Sequence, residues 1–245
     1  MRLKAVIGYD GTGYGGFQIQ ANAPTIQAEV ERVLAKLTGV PVHILAAGRT
    51  DAGVHAEGQV IAFDTRWRHP VSDLQRGMNA LLPEQIAVFE LAEAKPAFHP
   101  RFDALSRHYR YTIYRGAVRH PLWARYSLHI GRALDVDAMA SAARCLVGCH
   151  DFLAFGSPPQ GDNSVRDISR AEWSVCGPWL TFDVEANAFL NRMVRMLVGT
   201  MVRVGYGAIT PGEFEEILET RDRDRAGPAL AAEGLCLMSV AYAED

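Results

Sequence analysis

Segments with a two-residue apolar period and segments with a 3.6-residue period follow one another along this chain as β-α-β-β-α-β, and the order then repeats. In the first half, 3–9 reads as a strand. Pro24 to Leu37 reads as a helix with Ile26, Val30, Val33, Leu34 and Leu37 on one face and Gly39 just past its end. The segments 42–47 and 58–64 read as strands on either side of a loop containing Asp51. Ser72 and Gln75 have the spacing of a capping box for a helix striped by Leu74, Met78 and Leu81 and stopped by Pro83. Residues 86–92 alternate as a strand. In the second half, 107–115 is a strand that puts Tyr109, Tyr111 and Ile113 on one face. Asp135 caps a helix running to Val147 and ended by Gly148. The segments 167–175 and 179–186 form a hairpin around Gly177-Pro178, and 188–204 is a helix. Thr210-Pro211-Gly212-Glu213 opens a further helix with a cap, a first-turn proline and a capping-box Glu. Residues 235–241 form the last strand.

The fold expected from this order is α+β. Two ferredoxin-like, RRM-like halves with antiparallel sheets flank a central basic active-site cleft, with domains at 1–104 and 105–245. RRM-type sheets present aromatic and basic side chains to single-stranded RNA. The polar, turn-rich stretch 157–163 is expected to be a mobile loop.

A net charge of −3 does not announce a nucleic-acid partner, but the charges are segregated. Between His99 and Arg125 lie Arg101, Arg107, Arg110, Arg115, Arg119 and Arg125 against one acid, Asp103. Between Ala186 and Gly212 there are three arginines and no acid, whereas Glu213, Glu215, Glu216, Glu219, Asp222 and Asp224 gather after it. A globally acidic chain of this kind still has the material for a basic groove. Four cysteines in 245 residues fit a reducing compartment, no apolar run is long enough to cross a bilayer, and the N-terminus does not read as a signal peptide. The expected location is the cytoplasm.

Four segments are candidates for chemistry. Gly11-Thr12-Gly13-Tyr14-Gly15-Gly16 matches G-x-G-x-x-G after a strand, but its helix waits until about Thr25, too late to meet a dinucleotide phosphate. A glycine loop lining a groove, with Tyr14, Phe17, Gln18 or Gln20 against a ligand, fits better. His55-Ala56-Glu57 is half of the zinc nucleobase deaminase signature, but no P-C-x-x-C follows, and Cys145 and Cys149 are spaced for helix packing. The helix 188–204 is apolar all round, hence buried, and it carries Arg192 and Arg195. Each needs a carboxylate or a phosphate there: an internal ion pair, or a partner in the Asp51 loop. The loop itself, Gly48-Arg49-Thr50-Asp51-Ala52-Gly53, sits between two strands. It reads equally as a turn with a backbone-bonded Asp51 or as a rigid platform for a reacting carboxylate.

The segment Ala47-Gly48-Arg49-Thr50-Asp51-Ala52-Gly53-Val54-His55-Ala56 resembles the active-site segment of the TruA-type tRNA pseudouridine synthases. Three more blocks resemble that family in the same order: Tyr9-Asp10-Gly11-Thr12 through Gln20, Phe98-His99-Pro100-Arg101-Phe102 with Arg107-His108-Tyr109-Arg110-Tyr111, and Asn187-Ala188-Phe189-Leu190 through Gly199. The resemblance implies isomerisation of uridine to pseudouridine in the anticodon arm of tRNA, at tRNA positions 38 to 40, by a homodimer without metal or organic cofactor. It implies that Asp51 is the catalytic aspartate and Arg195 the arginine that pairs with it. Tyr109 would stack near the target base, and Arg49 would help displace the nucleotide. Arg107, Arg110 and Arg192 are further candidates for holding substrate phosphates. The sequence departs from the family at His108, where Arg or Lys is frequent, and in the 158–163 loop. A zinc deaminase and a non-catalytic RNA-binding protein are the competing readings, and mapping pseudouridine in incubated tRNA separates all three.

Overall fold

The computed structural model describes residues 1–159 and 161–243, so Gln160 of the turn-rich stretch lies outside the described residues. Among the described residues the chain forms five α-helices and ten strands, mostly antiparallel, in two compact units. One unit is Met1–Leu105 with Leu237–Asp245, the other Ser106–Cys236. The α+β class read from the sequence is the observed one.

The first unit contains β1 (Arg2–Tyr9), α1 (Ile26–Thr38), β2 (Leu45–Ala46), β3 (His55–Asp64), α2 (Val71–Leu81) and β4 (Ile86–Glu93). β1 pairs antiparallel with β3 and β4, and β2 pairs with β3. The resulting order, β4-β1-β3-β2, is that of the split β-α-β fold. Leu3, Ala5 and Ile7 of β1 are fully buried on one face, as a period of two requires. The stripe expected on α1 is also observed, since Ile26, Val30, Val33 and Leu34 are buried; Thr25 caps the helix by accepting from Ala28 N.

Two expectations in this unit fail for tertiary reasons. The strand expected at 42–47 shrinks to two residues, because the N–H of Ile44 donates to the Glu31 carboxylate of α1 (3.1 Å). The capping box expected at Ser72 and Gln75 does not form. α2 starts from Pro70 without a side-chain cap, and the Gln75 amide donates to the carbonyls of Val88 and Phe89 on β4 instead.

In the second unit, β5 (Ala104–Tyr114) leads through the short β6 (Leu128–His129) to α3 (Val136–Arg144) and β7 (Gly148–Asp151). The hairpin β8 (Val165–Cys176) and β9 (Trp179–Ala186) follows, then α4 (Met193–Gly205) and α5 (Pro211–Thr220). β10 (Leu235–Tyr242) returns the chain to the first unit. β5, β9, β8 and β7 are neighbours in that order. β6 and β7 have no counterpart in the sequence pattern, so the second half is more elaborate than a plain repeat. The expected face of β5 is observed, with Tyr109, Tyr111 and Ile113 buried; burial pushes the Tyr111 hydroxyl well above its ordinary pKa, and it donates to Ala231 O (2.8 Å).

The helix expected at 188–204 begins only at Met193. Asn191 forms a bridge to Ser157, with its N–H donating to Ser157 O (2.9 Å), and Arg192 adopts left-handed backbone, φ 62°. Arg192 is therefore an exposed residue ahead of α4 rather than a buried member of it. The capping box at Thr210 and Glu213 is present in full. Thr210→Ala should lower stability by about 1 kcal/mol in a urea titration, since it removes the acceptor for Glu213 N.

Candidate active site

The loop that carries Asp51 is held from below by the strands around it. Ala47 N donates to Val60 O (2.8 Å), so the chain leaves the sheet in register with β3. Gln59, fully buried on β3, donates to Gly48 O (2.9 Å) and reaches the Tyr9 hydroxyl (3.4 Å). That hydroxyl also bonds to Thr50 Oγ1 at 2.9 Å. Phe17 N donates to Thr50 O (3.1 Å), and Val54 N closes a turn onto Asp51 O (3.1 Å). Thr50 is buried, Asp51 half-buried and Arg49 exposed. Tethers on both sides of one half-buried carboxylate make the loop a fixed mount, the property that a reacting side chain needs.

The glycine segment 11–16 is part of this mount. A Cβ on Gly11 would lie 2.1 Å from Val54 O, and one on Gly16 would lie 2.8 Å from Thr50 O and 3.1 Å from the Asp51 carbonyl carbon. Only bare backbone permits that approach, and Gly16 is also left-handed at φ 103°. Phe17 is 3% exposed and packs by Tyr9, so it belongs to the core and not to a ligand groove, whereas Gln18 and Gln20 are exposed. α1 begins ten residues after Gly16, so no helix N-terminus opens at the glycines.

His55 serves this scaffold as well. Its Nδ1 lies 3.1 Å from Gly11 N and 3.2 Å from Asp10 Oδ1. One ring nitrogen cannot accept from the amide and donate to the carboxylate at once, so the two contacts are alternatives for Nδ1. Glu57 is exposed, and among the described residues no group of three or more His, Cys, Asp or Glu is placed to hold a metal. Burial pushes the Cys145 thiol up to about 11, which suits a neutral packing side chain.

The candidates of the second unit sit on β5 and α4. Tyr109 is 9% exposed and meets Phe189 edge to face, with ring centres 5.0 Å apart. Arg107 shares its buried face and donates to Asn187 O at 2.7 Å. Arg110 points from the other face, where its Nε and His108 Nε2 meet the same oxygen of Asp183 at 3.0 and 2.6 Å. Asp183, 3% exposed, stands directly across from Arg110 in the β5–β9 register. The strand arginines therefore do not form one row. Alternation divides them between two faces, and two of them hold the fold's own acceptors. Arg195, half-buried on α4, donates through Nε to Leu230 O at 2.6 Å, which fixes its side chain against the 227–230 segment. Sequence reasoning missed Asp183 and Leu230. A buried Asp within an apolar strand was the one available signal for the first, and nothing local marked the second.

A family model described as tRNA pseudouridine synthase matches residues 5–103 and 142–243. Over 245 residues the chain is 47% identical to tRNA pseudouridine synthase A of Moorella thermoacetica, covering 98% of this chain and 99% of that one. Over 241 residues it is 45% identical to tRNA pseudouridine synthase A of Geobacter sulfurreducens, covering 98% and 99%. Over 245 residues it is 42% identical to the protein of that name from Syntrophomonas wolfei, covering 100% and 98%.

Proposed function

The chain belongs to the tRNA pseudouridine synthases, enzymes that isomerise uridine to pseudouridine in tRNA, and on that premise we propose that Asp51 is the reacting carboxylate and that the target lies in the anticodon arm. The observation that carries the assignment is the mount: a half-buried Asp51 in a turn tethered through Thr50, Gly48 and Phe17.

The reaction breaks the bond between ribose C1′ and uracil N1, turns the base, and joins C5 to C1′. The C5 proton leaves and N1 ends with a proton, so atoms and electrons balance without redox chemistry. A carboxylate suits each available first step: attack on the sugar, attack on the base, or removal of a ribose proton. Arg195 is the proposed partner of the Asp51 carboxylate, with its Nε already held by Leu230 O. Tyr109 is the proposed stacking partner of the uracil, which has to leave its own stack before chemistry. Arg49, exposed beside Asp51, is the proposed lever for that displacement. Arg107, Arg110 and Arg192 are proposed phosphate contacts, of which Arg192 is the exposed one. A homodimer in the cytoplasm completes the proposal; light scattering should give twice the chain mass.

The deciding experiment is chemical mapping of pseudouridine in unmodified tRNA after incubation with the protein. New pseudouridine confined to the anticodon arm is expected; modification elsewhere in the tRNA would refute the target. The stacking role has its own test. Stacking on one base is worth about 1–3 kcal/mol, so Tyr109→Leu should reduce turnover roughly tenfold or more while Tyr109→Phe stays within a few-fold. Equal losses in both variants would transfer the role from the ring face to the hydroxyl.

A further inference from the structure

Arg115, which follows β5, the Gly177–Pro178 turn of the β8–β9 hairpin and the chain entering α3 enclose a cleft of about 330 Å³. Arg115, Gly131, Arg132 and Leu134 line it, and among the described residues its walls contain two guanidinium groups and no carboxylate. From Ala104 to Leu134 the chain has no Asp or Glu. The next acid, Asp135, is occupied as the cap of α3, accepting from Ala138 N at 2.9 Å. Arg115 is tied to the turn, its N–H donating to Pro178 O at 2.7 Å and its Nη2 reaching Gly177 O at 3.5 Å. Its Nε is shielded from solvent and has no acceptor, an unfavourable condition for a guanidinium N–H. Arg132 is exposed and lies 4.6 Å from the centre of the Tyr206 ring. A guanidinium over an aromatic ring keeps its charge, and its N–H groups can make a two-point contact with a tetrahedral anion.

We propose that this cleft is a phosphate-binding site for the tRNA backbone, away from the reacting uridine. The inference rests on tRNA as substrate and on Tyr109 as the residue beside the target. Six residues of extended chain, at about 3.3 Å each, place Arg115 roughly 20 Å from Tyr109. That is too far to reach the target nucleotide, so the cleft holds a phosphate elsewhere on the tRNA and sets the register of the arm. A free phosphate has the same chemistry, and the test separates the two sources.

Filter binding of tRNA, steady-state turnover and titration with inorganic phosphate would be compared for the wild type, Arg132→Glu and Arg132→Lys. Arg132→Glu should weaken tRNA binding and raise KM about tenfold at low salt, with kcat within about twofold. The slope of log affinity against log salt should become shallower by about one. Arg132→Lys, which keeps the charge, should lose less. Unchanged tRNA affinity and salt slope in a folded Arg132→Glu protein would overturn the proposal. So would loss of inorganic phosphate binding with tRNA affinity intact, which would assign the cleft to a free anion. Failure of the wild type to make pseudouridine would count against the reaction assignment alone, because the binding measurements report on the cleft without turnover.

Discussion

Asp51→Asn is expected to lose pseudouridine formation by a factor on the order of 10³ or more, with tRNA affinity and melting temperature close to the wild type. The substitution keeps the size and shape of the side chain and removes its charge and basicity. The turn that presents it depends on the Asp51 carbonyl accepting from Val54 N, a backbone bond that asparagine retains. Its neighbours are held by Tyr9, Gln59 and Phe17, none of which is altered. The loss should therefore fall on kcat, and tritium release from tRNA labelled at uracil C5 measures it directly. Normal release from the Asn variant would remove Asp51 from the chemistry. Asp51→Glu supplies the complementary reading: the same charge displaced by about 1 Å should cost on the order of a hundredfold.

The second large effect is expected at a residue with no functional group. Gly11→Ala should reduce activity about a hundredfold and lower stability, because its Cβ would lie 2.1 Å from the carbonyl oxygen of Val54. The obstructing atom is backbone, so relief requires the 50–54 turn to move, and a misplacement of about 1 Å at a reacting group costs about that factor. Gly48→Ala is the control. It stands three residues before Asp51, but beyond its two chain neighbours no atom lies within 4 Å of the place its methyl group would take, and its φ is not positive. It should be near neutral in a thermal melt and in turnover. Equal effects from the two alanines would mean that composition of the loop matters and its contact with the glycine segment does not.

Much of the architecture is legible without coordinates because local periodicity carries it. Asp135 and Thr210 cap the helices that their positions announce, and the alternation of Tyr109, Tyr111 and Ile113 puts one face of β5 in the core. These features depend on residues within about one turn or one pleat of each other. Boundaries set by distant partners are not legible. Gln75 is taken by β4 and Ile44 by Glu31, and α4 starts late because Asn191 bridges to Ser157. In each case a backbone or amide group is satisfied by a partner more than ten residues away.

The same division holds at the candidate site. The order of elements and the Gly48–Gly53 loop with its aspartate can be read from the chain, together with a resemblance that names a reaction. What only the tertiary structure decides is what each polar group spends its hydrogen bonds on. Arg107 is bound to Asn187 O, Arg110 to Asp183 and Arg195 to Leu230 O, while Arg192 is left exposed at a left-handed residue. Sequence records that a guanidinium is present. Strand register and helix start decide whether it is offered to a substrate or consumed by the fold, because a buried donor has to be satisfied wherever the chain has brought an acceptor within about 3 Å.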